Sequence, residues 1–121
     1  IALINNENKV LLNLRDRDHP ENPHVWAFLG GGVDKGETEE EALLREVKEE
    51  IDYELKEYKK IKEVFLEKIG KRIFYVGKID KEINELTLRE GEEIKFFNYE
   101  ETKEIKINKL HLEVLKKIYE K

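Results

Sequence analysis

At 121 residues the chain is long enough for one hydrophobic core and too short for two. Charged residues make up 42% of it and the net charge is -5, which argues against non-specific nucleic-acid binding, since that needs a basic stripe. The absence of cysteine excludes a disulfide framework, a thiolate metal site and a cysteine nucleophile.

Residues 1–4 read as a strand and Asn5-Asn6-Glu7-Asn8 as a turn. Val10, Leu12 and Leu14 alternate in a second strand, so the two form a hairpin or one bent strand. Residues 15–25 carry Asp16, Asp18, Pro20, Asn22 and Pro23 and read as a polar surface loop. A short apolar run over 25–29 leads into Gly30-Gly31-Gly32. Thr38 then opens the best-marked helix, with capping-box spacing to Glu41 and Leu43, Leu44, Val47 and Ile51 along one side. Two strands are expected at about 61–67 and 72–79, turning at Gly70, and another over 92–98. Asn108 caps a last helix whose buried stripe is Leu110, Val114, Leu115 and Ile118. Mixed strands with two main helices predict helices packed on a mixed sheet in a single domain. No apolar run reaches the roughly 20 residues of a membrane span and no signal peptide is visible, so a cytoplasmic protein that engages no membrane is expected. The chain lacks methionine and opens in mid-pattern, so a short N-terminal piece is expected to be missing.

The chemistry concentrates between Gly30 and Tyr53. On a helical wheel of about 100° per residue, Glu46, Glu49 and Glu50 fall on one face beside the apolar stripe. Like charges at this spacing repel, and a hard divalent cation, which takes carboxylate oxygens, turns them into a site. The glycines ahead of the helix allow close backbone approach to a metal or a phosphate. Together these parts describe metal-assisted phosphoryl chemistry, in which an activated water attacks phosphorus.

The segment resembles the box of the Nudix (MutT-like) hydrolase family, G-x5-E-x7-R-E-U-x-E-E-x-G-U with U aliphatic. Gly31, Glu37, Arg45, Glu46, Val47, Glu49 and Glu50 stand in register with it, and Trp26-Ala27-Phe28-Leu29-Gly30-Gly31 is similar to the family's W-x-[LF]-P-G-G lead-in. Three positions depart from the pattern. Asp52 replaces the glycine after the helix, Tyr53 the last aliphatic residue, and Leu29 the lead-in proline, which would soften the loop. Asp tolerates a left-handed helix end at a cost of about 1 kcal/mol or less.

The resemblance implies an α/β/α sandwich with a mixed sheet, and hydrolysis of a diphosphate bond with Mg²⁺ or Mn²⁺. It makes Glu46, Glu49 and Glu50 metal-binding and catalytic carboxylates, with a carbonyl of Gly30 or Gly31 completing the site. Glu37 and Arg45 brace loop against helix. A further glutamate from a later loop is expected among Glu90, Glu92 and Glu93, with Glu90 favoured. Arg15 and Arg17 are candidates for substrate phosphate. The expected partner is a small nucleotide, most simply a nucleoside triphosphate, oxidised ones included; ADP-ribose, dinucleoside polyphosphates and a non-catalytic nucleotide sensor remain alternatives. No nucleic-acid partner is expected, and either a monomer or a homodimer fits.

Other features carry less. Gly31-x4-Gly36-Glu37-Thr38 imitates a P-loop but has Glu where Lys must contact phosphate. Asp16 and Asp18 start like a calcium loop that Pro20 breaks. His19, His24 and His111 lack metal-ligand spacing and read as surface residues, and Trp26 reads as core.

Overall fold

A computed structural model of the chain describes residues 1–17, 24–67 and 70–120. Asp18, His19, Pro20, Asn22 and Pro23, which belong to the expected surface loop, lie outside these residues. The strands are β1 (Ala2–Ile4), β2 (Val10–Leu14), β3 (Trp26–Ala27), β4 (Tyr58–Leu66), β5 (Gly70–Lys78) and β6 (Glu93–Phe97). The helices are α1 (Glu39–Ile51), the short α2 (Tyr99–Thr102) and α3 (Lys109–Tyr119).

All six strands form one mixed sheet. β1 pairs antiparallel with β2 and parallel with β5, whose other edge carries β4. β6 runs along the whole of β2, from Val10↔Phe97 to Leu14↔Glu93, while β3 pairs with its last two residues. β2 is therefore hydrogen-bonded on both edges.

Both faces of the sheet are also covered. Leu3, Leu11, Leu29, Tyr75, Ile79 and Ile94 pack with Leu43, Val47 and Ile51 of α1. Ala2, Val10, Leu12, Phe28, Phe74 and Phe97 pack with Val114 and Leu115 of α3. Neighbouring strand residues thus enter opposite cores, as the period of two requires. The result is an α/β sandwich with helices on both sides of a mixed sheet.

The helix boundaries follow from local chemistry. The Thr38 side chain accepts from the Glu41 N–H while Glu41 accepts from the Thr38 N–H, closing a capping box. At the other end Asp52 adopts the left-handed conformation (φ 55°, ψ 45°) and its N–H donates to the Lys48 carbonyl. The Asn108 side chain accepts from the N–H groups of Leu110 and His111 and starts α3.

Four expectations need correction. Leu44 lies outside the core stripe, 37% exposed, because the buried face of α1 runs through Leu43, Val47, Glu50 and Ile51. Leu29 does not soften the lead-in; it is buried in the α1 core, and its carbonyl accepts from the main-chain nitrogen of Ile1. Gly70 begins β5 with φ 93°, and the β4–β5 hairpin extends further than expected at its β4 end, to Tyr58. His111 is half-buried rather than freely exposed. It stacks on Phe28 at 4.6 Å, accepts the Phe28 N–H through Nδ1, and burial pushes its pKa down to about 3. Trp26 packs edge-on against Phe97, at the margin of the α3 core.

Replacing Thr38 with Ala removes one half of the capping box and should destabilise the fold by about 1 kcal/mol, measured by urea unfolding.

Candidate metal and phosphate site

The site forms where the end of the lead-in loop meets the last turns of α1. Because α1 buries the stripe through Val47 and Ile51, the adjacent positions 46 and 50 face the loop. Glu50 has no solvent exposure. One of its carboxyl oxygens, Oε2, accepts from the Gly30 N–H at 2.9 Å. The other, Oε1, is buried without a partner. Burial pushes the Glu50 pKa up to about 8; the nearby charges of Glu90 and Glu46 add to this, while the Gly30 N–H and Arg15 oppose it.

The Glu46 carboxylate lies against Gly31 so closely that a Cβ there would come within 2.5 Å of it. Glycine at 31 is thus a matter of space: any side chain would push the carboxylate away. Burial also raises the Glu46 pKa, against the opposing effect of Arg45. Glu49, about 100° around the helix from Glu50, is exposed.

Arg45 joins these pieces. Its guanidinium grips both oxygens of Glu37 at 2.7 and 3.0 Å and donates to the Gly32 carbonyl at 3.0 Å. Its remaining amino group reaches Glu46 at 2.9 Å and Glu49 at 3.2 Å. Glu37 in turn accepts from the Asp34 N–H, and the Arg45 contact holds its pKa below the usual carboxylate range. This planar fork, matched to carboxylates, welds the glycine loop to the helix.

The later loop is fixed by the main chain. The N–H groups of Thr87 and Arg89 donate to the carbonyls of Ile51 and Glu50, and that of Glu92 to Leu14. Glu90 thereby comes near enough to raise the pKa of both Glu46 and Glu50. Glu92 faces His24 at 3.0 Å and Arg17 at 3.8 Å, and Glu93 is the exposed first residue of β6. Arg15 also lies close to Glu50 and donates to the Phe28 carbonyl at 3.2 Å. Arg17, the other candidate for a substrate phosphate, is largely exposed and pairs with Glu92.

Among the described residues, no three carboxylates or imidazoles converge on one point as a ready-made metal cage. Arg45 holds Glu46 and Glu49, and Gly30 holds half of Glu50. The residues nevertheless fit a hard divalent cation. A buried carboxyl oxygen without a donor is expensive, and such a cation satisfies it.

Asn13 escaped the sequence reading. It is 1% exposed, and its Nδ2 donates to the Glu90 carbonyl at 2.8 Å across 77 residues of sequence. The available clue was a lone polar residue in the strand Val10-Leu11-Leu12-Asn13-Leu14, most of whose other positions are apolar on both faces.

Comparison with known proteins fits this geometry. The NUDIX domain model matches residues 1–118. An RNA pyrophosphohydrolase of Nitratiruptor is 66% identical over 29 residues, 24% of this chain and 19% of that protein. The Escherichia coli nucleoside triphosphatase NudI is 45% identical over 53 residues, 44% of this chain and 38% of that protein. The chain therefore aligns with well under half the length of these curated relatives. The NUDIX domain of Shewanella oneidensis NrtR, solved with ADP ribose, superposes with a TM-score of 0.80 at 18% identity, covering 98% of this chain and 82% of that one. Among the described residues no helix is long and apolar enough to cross a membrane.

The raised Glu50 pKa carries a sign. With a folded-state value near 8 against 4.5 unfolded, the folded protein holds the proton more tightly, so stability falls as pH rises through that window. In chelator, Glu50→Gln should therefore exceed the wild type in stability at pH 9 by on the order of a few kcal/mol, with the gain vanishing near pH 5 in urea unfolding.

By its match over nearly the full sequence the chain belongs to the Nudix family, whose members generally depend on a divalent cation and act on small nucleotide substrates.

Proposed function

We propose that this chain is a single-domain Nudix pyrophosphohydrolase that cleaves a diphosphate bond in a nucleoside diphosphate linked to a further group. The observation that carries the reading is Glu50, buried beside Gly30 with one oxygen unsatisfied and with Glu46 and Glu90 at hand. Glu46, Glu49 and Glu50, with a carbonyl of Gly30 or Gly31, would hold Mg²⁺ or Mn²⁺. When bound, the cation polarises the anhydride and lowers the pKa of a coordinated water. Glu90 would take the proton of the attacking water as its oxygen bonds to phosphorus and the P–O bond of the leaving group breaks. Arg15, beside Glu50, is better placed than Arg17 to meet a phosphate oxygen. Arg45 and Glu37 keep the glycine loop and the carboxylates in mutual position.

A nucleoside triphosphate, oxidised ones included, is the preferred substrate, giving monophosphate and pyrophosphate. The partial likeness to a nucleoside triphosphatase supports this choice. The net charge of -5 argues against binding along a nucleic acid, although the likeness to an RNA pyrophosphohydrolase brings a triphosphorylated RNA end into the test. The fold-level likeness to a domain holding ADP ribose keeps ADP-ribose as the second reading. A cytoplasmic location fits such a substrate.

The protein should be incubated with Mg²⁺ and nucleoside triphosphates, 8-oxo-dGTP, ADP-ribose, dinucleoside polyphosphates and a 5′-triphosphorylated RNA, with products separated by chromatography. Turnover of at least one substrate is expected, falling about a thousandfold, or about 4 kcal/mol, in Glu50→Gln. Nucleotide binding without turnover would instead indicate a sensor.

A further inference from the structure

We propose that Asn13 is a positioning residue, which acts with Gly91 to aim Glu90 at the carboxylates of α1; this rests on the hydrolase reading above.

Asn13 stands in β2, hydrogen-bonded through its main chain on both edges and covered on both faces, so its side chain has almost no freedom. Leu11 and Ile94 enter the α1 core, and Asn13, two residues on from Leu11 and paired with Ile94, points toward that same side. Its Nδ2 donates to the Glu90 carbonyl, which fixes the peptide leaving the Glu90 Cα. Its Oδ1 lies over Gly91, where a Cβ would approach to 2.1 Å, and the Leu14 carbonyl would be met at 2.8 Å. Gly91 also has φ 87°, a conformation that side chains rarely adopt. Shape and backbone angle thus both require glycine there.

Anchors stand on either side of Glu90: Arg89 N–H on the Glu50 carbonyl and Glu92 N–H on the Leu14 carbonyl. The first ties the loop to Glu50, the residue whose carboxyl feels the Glu90 charge. The second ties it to the strand that carries Asn13. Between them lie the Arg89–Glu90 and Glu90–Gly91 peptides, and the Asn13 amide holds the second, on the far side of the Glu90 Cα.

A buried amide with an unpartnered oxygen is a poor way to stabilise a strand, since an apolar residue would fill the same space without the desolvation penalty. Its use is explained if the direction of Glu90 matters. The side chain of Glu90 is itself exposed, so nothing in the packing around it would aim it.

A double-mutant cycle tests the proposal. Asn13→Ala should lower kcat by about 10- to 100-fold with KM little changed, and should have little further effect in a Glu90→Gln background. Additive losses, or a change confined to KM, would overturn it. Should Asn13→Ala fail to fold, Asn13→Thr, which suits a strand but falls short of Glu90, takes its place with the same expectation. Hydrogen exchange gives a readout that needs no turnover: amides 87–92 should exchange faster in the variant while those of α1 stay protected. Unchanged exchange in 87–92 would overturn the proposal, whereas faster exchange there with no wild-type turnover would leave it standing and remove the hydrolase reading instead.

Discussion

Glu50 places a carboxyl group where water does not reach, with one oxygen taken by the Gly30 N–H and the other facing no donor. A carboxyl in such a place is tolerable protonated, or ionised against a cation, and otherwise destabilises the fold. The rest of the site can be understood as what keeps that group in place. α1 must bury the face that carries Val47 and Ile51, which turns Glu50 inward. The lead-in must pass close enough for Gly30 to donate, and burial of Leu29 in the α1 core brings it there. The later loop must close over the end of the helix, and it does so through the carbonyls of Glu50 and Ile51.

Arg45 resolves the opposite difficulty, too many carboxylates at the surface. Five hydrogen bonds from one guanidinium neutralise Glu37, Glu46 and Glu49 and catch the Gly32 carbonyl. Burial and Arg45 therefore divide the work. Burial raises the pKa of the inner carboxyl, and Arg45 pairs the outer ones. A divalent cation entering here competes with Arg45 for Glu46 and Glu49 and with a proton for Glu50, so affinity is expected to rise with pH.

The parts of this arrangement that were legible in the sequence are those set by neighbours along the chain. The capping box at Thr38 follows from a spacing of three residues, and the left-handed end at Asp52 from that residue's tolerance of the conformation. Leu44 falls outside the core because a wheel gives angles but not the direction from which the sheet approaches. Asn13 and Glu90 were hard to connect because their contact spans 77 residues and depends on the pairing of β2 with β6. His111 stands three and four residues before Val114 and Leu115, a spacing that suits a buried stripe, whereas a lack of metal-ligand spacing says nothing of burial. Where Glu90, Glu92 and Glu93 stand depends on the loop's main-chain anchors, which leave no periodic trace.

The central claim is that the unsatisfied oxygen of Glu50 is a metal ligand, and Mn²⁺ titration by calorimetry tests it most directly. At pH 8.5 and without nucleotide, the wild type should bind Mn²⁺, Glu50→Gln should bind at least about tenfold more weakly, and Glu93→Gln, altered on the exposed start of β6, should match the wild type. Equal affinity in the wild type and Glu50→Gln would contradict the account and leave the buried carboxyl without a metal to explain it.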